Sequence, residues 1–104
     1  FDWDNKQDVW KKVDEEFAEL KRELSAGNQE KATEEFGDLL FALVNAARFE
    51  KIVPESALQL TNSKFINRFR YVEEQARTSG RKLDEMTLEE MDELWNEAKS
   101  KGIK

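Results

Sequence analysis

Two acidic couplets, Glu16-x-x-Glu19 and Glu35-x-x-Asp38, are the residues of this chain best suited to chemistry. On a helix, an i, i+3 spacing sets the carboxylates of a couplet about 60° apart on one face, within reach of one ion. Two such helices side by side gather four acids round one point, where like charges repel unless a cation neutralises them. The chain has no histidine and no cysteine. The cation suited to the donors is therefore a hard one bound through oxygen, Mg²⁺ or secondarily Mn²⁺, in preference to zinc or redox iron. Ferritin-like di-iron bundles are set apart by the same absence, since they draw Glu-x-x-His from two helices. Hard ions of this kind bridge to substrate phosphates, which makes phosphoanhydride hydrolysis the leading chemistry. A solvated acidic face is the competing reading. It is the ordinary one for Glu16 and Glu19 taken alone, but Glu35 and Asp38 lie on a stretch so apolar that a solvated face is hard to find.

The elements that must position these acids read as amphipathic helices. Val9, Val13, Phe17, Leu20 and Leu24 line one side of a predicted helix over residues 6–24, with Glu16 at the edge of the stripe. The run Ser25-Ala26-Gly27-Asn28 supplies a turn, Gly27 suiting a left-handed cap. A second helix is predicted over residues 29–51, and Phe36, Leu39, Leu40, Phe41, Ala42, Leu43, Val44, Ala46 and Ala47 cover nearly its whole circumference. A helix apolar all round is enclosed by protein, so Asp38, stacked with Ala42, Asn45 and Phe49, is expected to be partly buried and to need a cation or basic partner. Pro54 is placed to open a third helix that continues to about Ser79 with Phe65, Phe69 and Val72 inward, and Gly80 ends it. Thr87-Leu88-Glu89-Glu90 forms a capping box that starts a last helix to about Lys99. The expected fold is all-α, a bundle of four or five helices. The surplus apolar surface of the second helix predicts a homo-oligomer, a dimer or pair of dimers.

Composition agrees. The 104 residues make one domain, 1–104, and four glycines with one proline at 38% charged and 38% hydrophobic content favour long helices over a sandwich or barrel. The net charge of −6 argues against a nucleic-acid backbone or an anionic membrane as partner, though not against a phosphate ligand held through metal. A chain without cysteine, and without an apolar run long enough to cross a bilayer, is expected to be a soluble cytoplasmic protein. It begins at Phe1 without an initiator methionine, as expected of a piece of a longer protein. Lys64 and Arg68, four apart, form an anion clamp or a solvated stripe, and Trp95, sharing a face with Lys99, is core or a base-stacking platform. No Walker-type glycine-rich loop and no Gly-x-Ser-x-Gly elbow is present.

Glu15-Glu16-x-x-Glu19, followed after fifteen residues by Glu35-x-x-Asp38 in the setting Glu34-Glu35-Phe36-Gly37-Asp38-Leu39-Leu40-Phe41, resembles the signature of the MazG nucleoside triphosphate pyrophosphohydrolases. Phe1-Asp2-Trp3, Thr61-Asn62-Ser63-Lys64-Phe65-x-x-Arg68-Phe69 and Leu94-Trp95-x-x-x-Lys99 resemble it as well, so the likeness runs through nearly the whole chain. The resemblance implies an all-α fold that dimerises through its helices and hydrolyses nucleoside triphosphates to the monophosphate and pyrophosphate with Mg²⁺. By the same resemblance Glu16, Glu19, Glu35 and Asp38 are the catalytic metal ligands. Lys12, Glu15, Lys31, Glu34, Lys64, Arg68, Trp95 and Lys99 surround the nucleotide, the basic residues on phosphates and Trp95 on sugar or base. Many members carry two copies of the domain, and this sequence is similar to the second, active one. Joined to the acids, the resemblance implies water attack at the α-phosphorus without a covalent intermediate. Two alternatives stand beside it: a non-catalytic helical oligomerisation module, and a narrower enzyme of related all-α fold that cleaves dUTP, dCTP or a damaged nucleotide.

Overall fold

In the computed structural model, which describes residues 5–104, the chain is all-α. Phe1, Asp2 and Trp3 lie outside the described residues. Four helices follow in order: α1 Lys6–Ser25, α2 Gln29–Phe49, α3 Pro54–Thr78 and α4 Leu88–Ser100, with one 3₁₀ turn at Leu83–Glu85 that sequence reading did not anticipate. Among the described residues there is no strand. The chain divides into two compact units, Phe1–Pro54 and Glu55–Lys104.

The first unit is a pair of helices joined by a tight turn. The Asn5 side chain caps α1 by accepting from the Asp8 amide at 3.0 Å, and Asn28 does the same for α2 through Lys31 at 3.1 Å. Between them Gly27 sits at φ +73°, a conformation costly to any residue with a Cβ, and the Asn28 amide closes the turn on the Glu23 carbonyl at 3.1 Å. Val9 and Val13 of α1 pack against Ala42 and Ala46 of α2, with Leu39 and Phe49 against the cluster. The small side chains on α2 let the helices approach closely, and burying Val9 alone contributes on the order of 2 kcal/mol.

The buried stripe on α1 is Val9, Val13, Glu16 and Leu20. This corrects the expected stripe. Glu16 is 6% exposed where it was placed at the edge, whereas Phe17 is 46% exposed and has the Lys21 ammonium 4.2 Å over its ring. The second helix is likewise not enclosed by this chain. Phe36, Leu40, Phe41, Leu43 and Val44 are all exposed, Phe41 by 67%. Asp38, expected to be partly buried, is exposed.

In the second unit α3 runs unbroken from Pro54, and its end is closed at Gly80, φ +73°, by Arg81 N–H to the Ala76 carbonyl at 2.9 Å. The capping box of α4 is formed as read: the Glu90 amide donates to Thr87 Oγ1 at 3.1 Å and the Thr87 amide to Glu90 Oε1 at 2.9 Å. Arg81 also donates through both terminal nitrogens to the Glu90 carboxylate. Val72, Ala76 and Ala98 are buried. Phe65 and Phe69, expected inward with Val72, are exposed, and only Val72 of the three is in the core.

Candidate functional site

The packing of α1 on α2 fixes the acidic couplets. Glu16 takes an inward position on α1 between Val13 and Leu20, and Glu35 and Asp38 lie on α2 two turns and one turn before Ala42. Carboxylate oxygens of Glu16, Glu35 and Asp38 fall within 4.8 Å of one another, grading from buried Glu16 through half-buried Glu35 to exposed Asp38. Glu19, the fourth acid of the two couplets, is not one of these three, and bears on the site as a neighbouring carboxyl that helps raise the pKa of Glu35.

Lys12 offers one positive charge to this cluster, its ammonium lying 2.8 Å from Glu16 Oε1, and that hydrogen bond raises the Lys12 pKa above its ordinary value. The other oxygen, Glu16 Oε2, is buried without a hydrogen-bond partner, and so is Glu35 Oε2. Burial first, then the Glu19 hydrogen bond and the charges of Glu19, Asp38 and Glu16, push the Glu35 carboxyl up to about 7 from an ordinary 4.5. Two buried acceptors without partners among crowded like charges are groups that a cation would satisfy. An all-oxygen set fits Mg²⁺ or Mn²⁺.

Of the other residues singled out in sequence, Glu15, Lys31 and Glu34 are exposed on α1 and α2, Lys12 half-buried beside Glu16. In the second unit Lys64, Arg68 and Trp95 are half-buried and Lys99 exposed. Trp95 leans on Phe65, ring centroids 5.2 Å apart at 51°, and the two line an apolar groove of about 320 Å³ with Phe69, Val72, Leu88, Met91 and Asp92. Arg68 Nε donates to the Ile103 carbonyl at 2.8 Å.

Sequence reading gave no role to Asn45. It is buried seven residues on from Asp38 on the same face of α2, its Oδ1 accepting from Arg48 Nη1 at 3.3 Å and its Nδ2 unpartnered. The signal was there: it is the one amide in the apolar run from Leu39 to Ala47.

An all-α chain whose first helix pair gathers three carboxylates has there a donor set suited to a hard cation. The profile of the MazG nucleotide pyrophosphohydrolase domain matches residues 5–73, and the chain belongs to the MazG family. It is 43% identical over 99 residues to the nucleoside triphosphate pyrophosphohydrolase/pyrophosphatase MazG of Thermotoga maritima, covering 95% of this chain and 38% of that protein. To the nucleoside triphosphate pyrophosphohydrolase of Escherichia coli K12 it is 42% identical over 105 residues, 99% of this chain and 40% of the relative. A 65-residue stretch is 65% identical to the protein YabN of Bacillus subtilis, covering 62% of this chain and 13% of YabN. The chain thus spans about two fifths of the two pyrophosphohydrolases and a smaller share of YabN.

Proposed function

We propose that this chain acts as one MazG-type catalytic domain that hydrolyses nucleoside triphosphates, with Mg²⁺, to the monophosphate and pyrophosphate. The observation that carries the reading is the meeting of Glu16, Glu35 and Asp38 within 4.8 Å, with Oε2 of Glu16 and of Glu35 buried and unpartnered. Glu16, Glu19, Glu35 and Asp38 would hold the cation, with Mn²⁺ as an acceptable substitute. The cation, when bound, would offset charge on the triphosphate oxygens and on the departing pyrophosphate. Lys12 fixes Glu16 by its 2.8 Å ion pair, so the buried carboxylate is oriented before substrate arrives. A carboxylate oxygen of the same group takes the proton of the water that attacks the α-phosphorus. Glu15, Lys31, Glu34, Lys64, Arg68, Trp95 and Lys99 contact the nucleotide, the cations on phosphate oxygens and Trp95 on sugar or base.

The exposed Phe36, Leu40, Phe41, Leu43 and Val44 of α2 support a homo-oligomer, since so much contiguous apolar surface on one helix is covered in a stable protein. No helix among the described residues is long and apolar enough to cross a membrane. The reading extends to a cytoplasmic role in clearing unwanted triphosphates from the nucleotide pool. The test is to incubate the protein with mixed nucleoside triphosphates, with and without Mg²⁺, and to assay pyrophosphate and orthophosphate separately. Mg²⁺-dependent pyrophosphate is expected. Orthophosphate alone would mean attack at the γ-phosphorus, and release of neither would leave a binding module.

A further inference from the structure

The end of α4 closes in a hydrogen-bonded turn. Gly102, at φ +73°, donates its amide to the Lys99 carbonyl at 3.0 Å, and the Ile103 amide returns to Ala98 at 3.1 Å. These two bonds define a Schellman turn, which requires the left-handed conformation at Gly102. The carbonyls that follow are taken by consecutive side chains of α3: Arg68 Nε donates to Ile103 O at 2.8 Å, and Asn67 Nδ2 to Lys104 O at 2.7 Å. A guanidinium is a rigid plane with five N–H donors. Anchoring Nε to a fixed carbonyl sets the direction of that plane and leaves the Nη edge to grip an anion in fork geometry. One turn earlier on α3, Lys64 shares a groove of about 360 Å³ with Leu60, Ser63 and Lys104, so the same turn sets a second cation beside Lys64.

We propose that the turn at residues 102–104 is a positioning element for Arg68, holding its guanidinium in the orientation that receives the triphosphate. The inference rests on the reading that Arg68 meets the triphosphate. Gly102 itself touches no substrate; it acts through the Ile103 carbonyl.

Gly102 has open space where a Cβ would stand, so a substitution there acts through backbone conformation alone. Gly102→Val disfavours the left-handed region strongly, whereas Gly102→Asn tolerates it. The measurement is the Kd of α,β-methylene-ATP, which cannot be cleaved at the α-phosphorus, with Mg²⁺, alongside KM and kcat for ATP. Arg68→Ala is expected to weaken binding on the order of tenfold or more. Gly102→Val should raise Kd and KM on the order of tenfold with kcat nearly unchanged, as for an interaction made equally in ground and transition states, and Gly102→Asn should restore both. In an Arg68→Ala background Gly102→Val should add less than about twofold, since residues acting through one contact are not additive. Full additivity, or an unchanged Kd in a Gly102→Val protein of normal helicity, overturns the positioning role. If Gly102→Val loses helicity, Gly102→Ala takes its place under the same criteria. An Arg68→Ala protein that binds normally overturns instead the reading that Arg68 meets the triphosphate.

Discussion

Glu35 on α2 and Glu90 on α4 are the same side chain in opposite settings. Glu90 receives two bonds from Arg81 and one from the Thr87 amide, and these hold its carboxyl down to about 2. Glu35 has burial, Glu19, Asp38 and Glu16 around it, and its carboxyl rises to about 7. In the second unit the fold supplies the partner an acid needs, and the acid serves the fold by closing a capping box. In the first unit the fold withholds the partner, leaving Oε2 of Glu16 and of Glu35 buried and bare. The proposed metal site rests on that unmet demand.

The sharpest way to break this comparison is to remove acids of the first unit's cluster. Glu35→Gln and Asp38→Asn should each lower Mg²⁺-dependent pyrophosphate release on the order of 10³-fold or more, since each removes a charged cation ligand and the electrostatics that go with it. Far-ultraviolet circular dichroism should show the helices intact, because removing one of several crowded like charges does not destabilise a metal-free cluster. Near-normal turnover in both variants would place the chemistry elsewhere.

A smaller effect reads the cation directly. A ligand at about ten times its Kd stabilises the state that binds it by about 1.4 kcal/mol, which for a chain of this size is a rise in Tm of roughly 5–10 °C. Mg²⁺ should produce such a shift in the native protein and little or none in Glu35→Gln. An equal shift in both would mean that the ion is held away from the acidic cluster.

The same two residues should also give opposite slopes of stability against pH. The raised Glu35 carboxyl means that the metal-free folded state binds more protons than the unfolded one between about 4.5 and 7, so its contribution is greatest below that window and is lost as pH rises through it. The lowered Glu90 carboxyl does the reverse: its contribution is present above about 4.5 and is lost as pH falls towards 2. Urea titrations of the metal-free protein at a series of pH values should show the neutral-side decline flattened in Glu35→Gln and the acid-side loss reduced in Glu90→Gln. A neutral-side profile unchanged by Glu35→Gln would remove the claim that this carboxyl is held up by its neighbours.

What could be read in advance divides along the same line. Helix ends are local, and Gly27, Pro54, Gly80 and the Thr87-x-x-Glu90 box each marked a boundary correctly because a few adjacent backbone groups decide it. The acidic couplets were legible too, since i, i+3 spacing is a property of one helix. What periodicity could not decide was which of two neighbouring positions turns inward. Counting apolar residues chose Phe17, but the buried positions of α1 are Val9, Val13, Glu16 and Leu20, the first two packed on Ala42 and Ala46. Glu16 is thus buried by its partner helix, not by its own hydrophobicity. Asp38 errs the other way, exposed on a helix whose composition implied enclosure. The enclosure was inferred from residues such as Phe41 and Val44 that this chain leaves exposed.

The smallest test compares helix ends. α1, α3 and α4 are each followed by a glycine at φ +73°, whereas α2 is followed by Lys51 at φ +58°, with the Ile52 amide returned to the Ala47 carbonyl at 2.9 Å in the same closing pattern. A residue with a Cβ costs roughly 1–2 kcal/mol in the left-handed region, and glycine gives back part of that gain through the larger entropy of its unfolded chain. Lys51→Gly should therefore stabilise the protein by about 0.5–1 kcal/mol, measured by urea denaturation, with pyrophosphate release unchanged because Lys51 lies outside the acidic cluster. A loss of stability would show that the Lys51 side chain contributes more at this turn than its backbone costs. The four helix ends would then have to be explained one by one and not by a common rule.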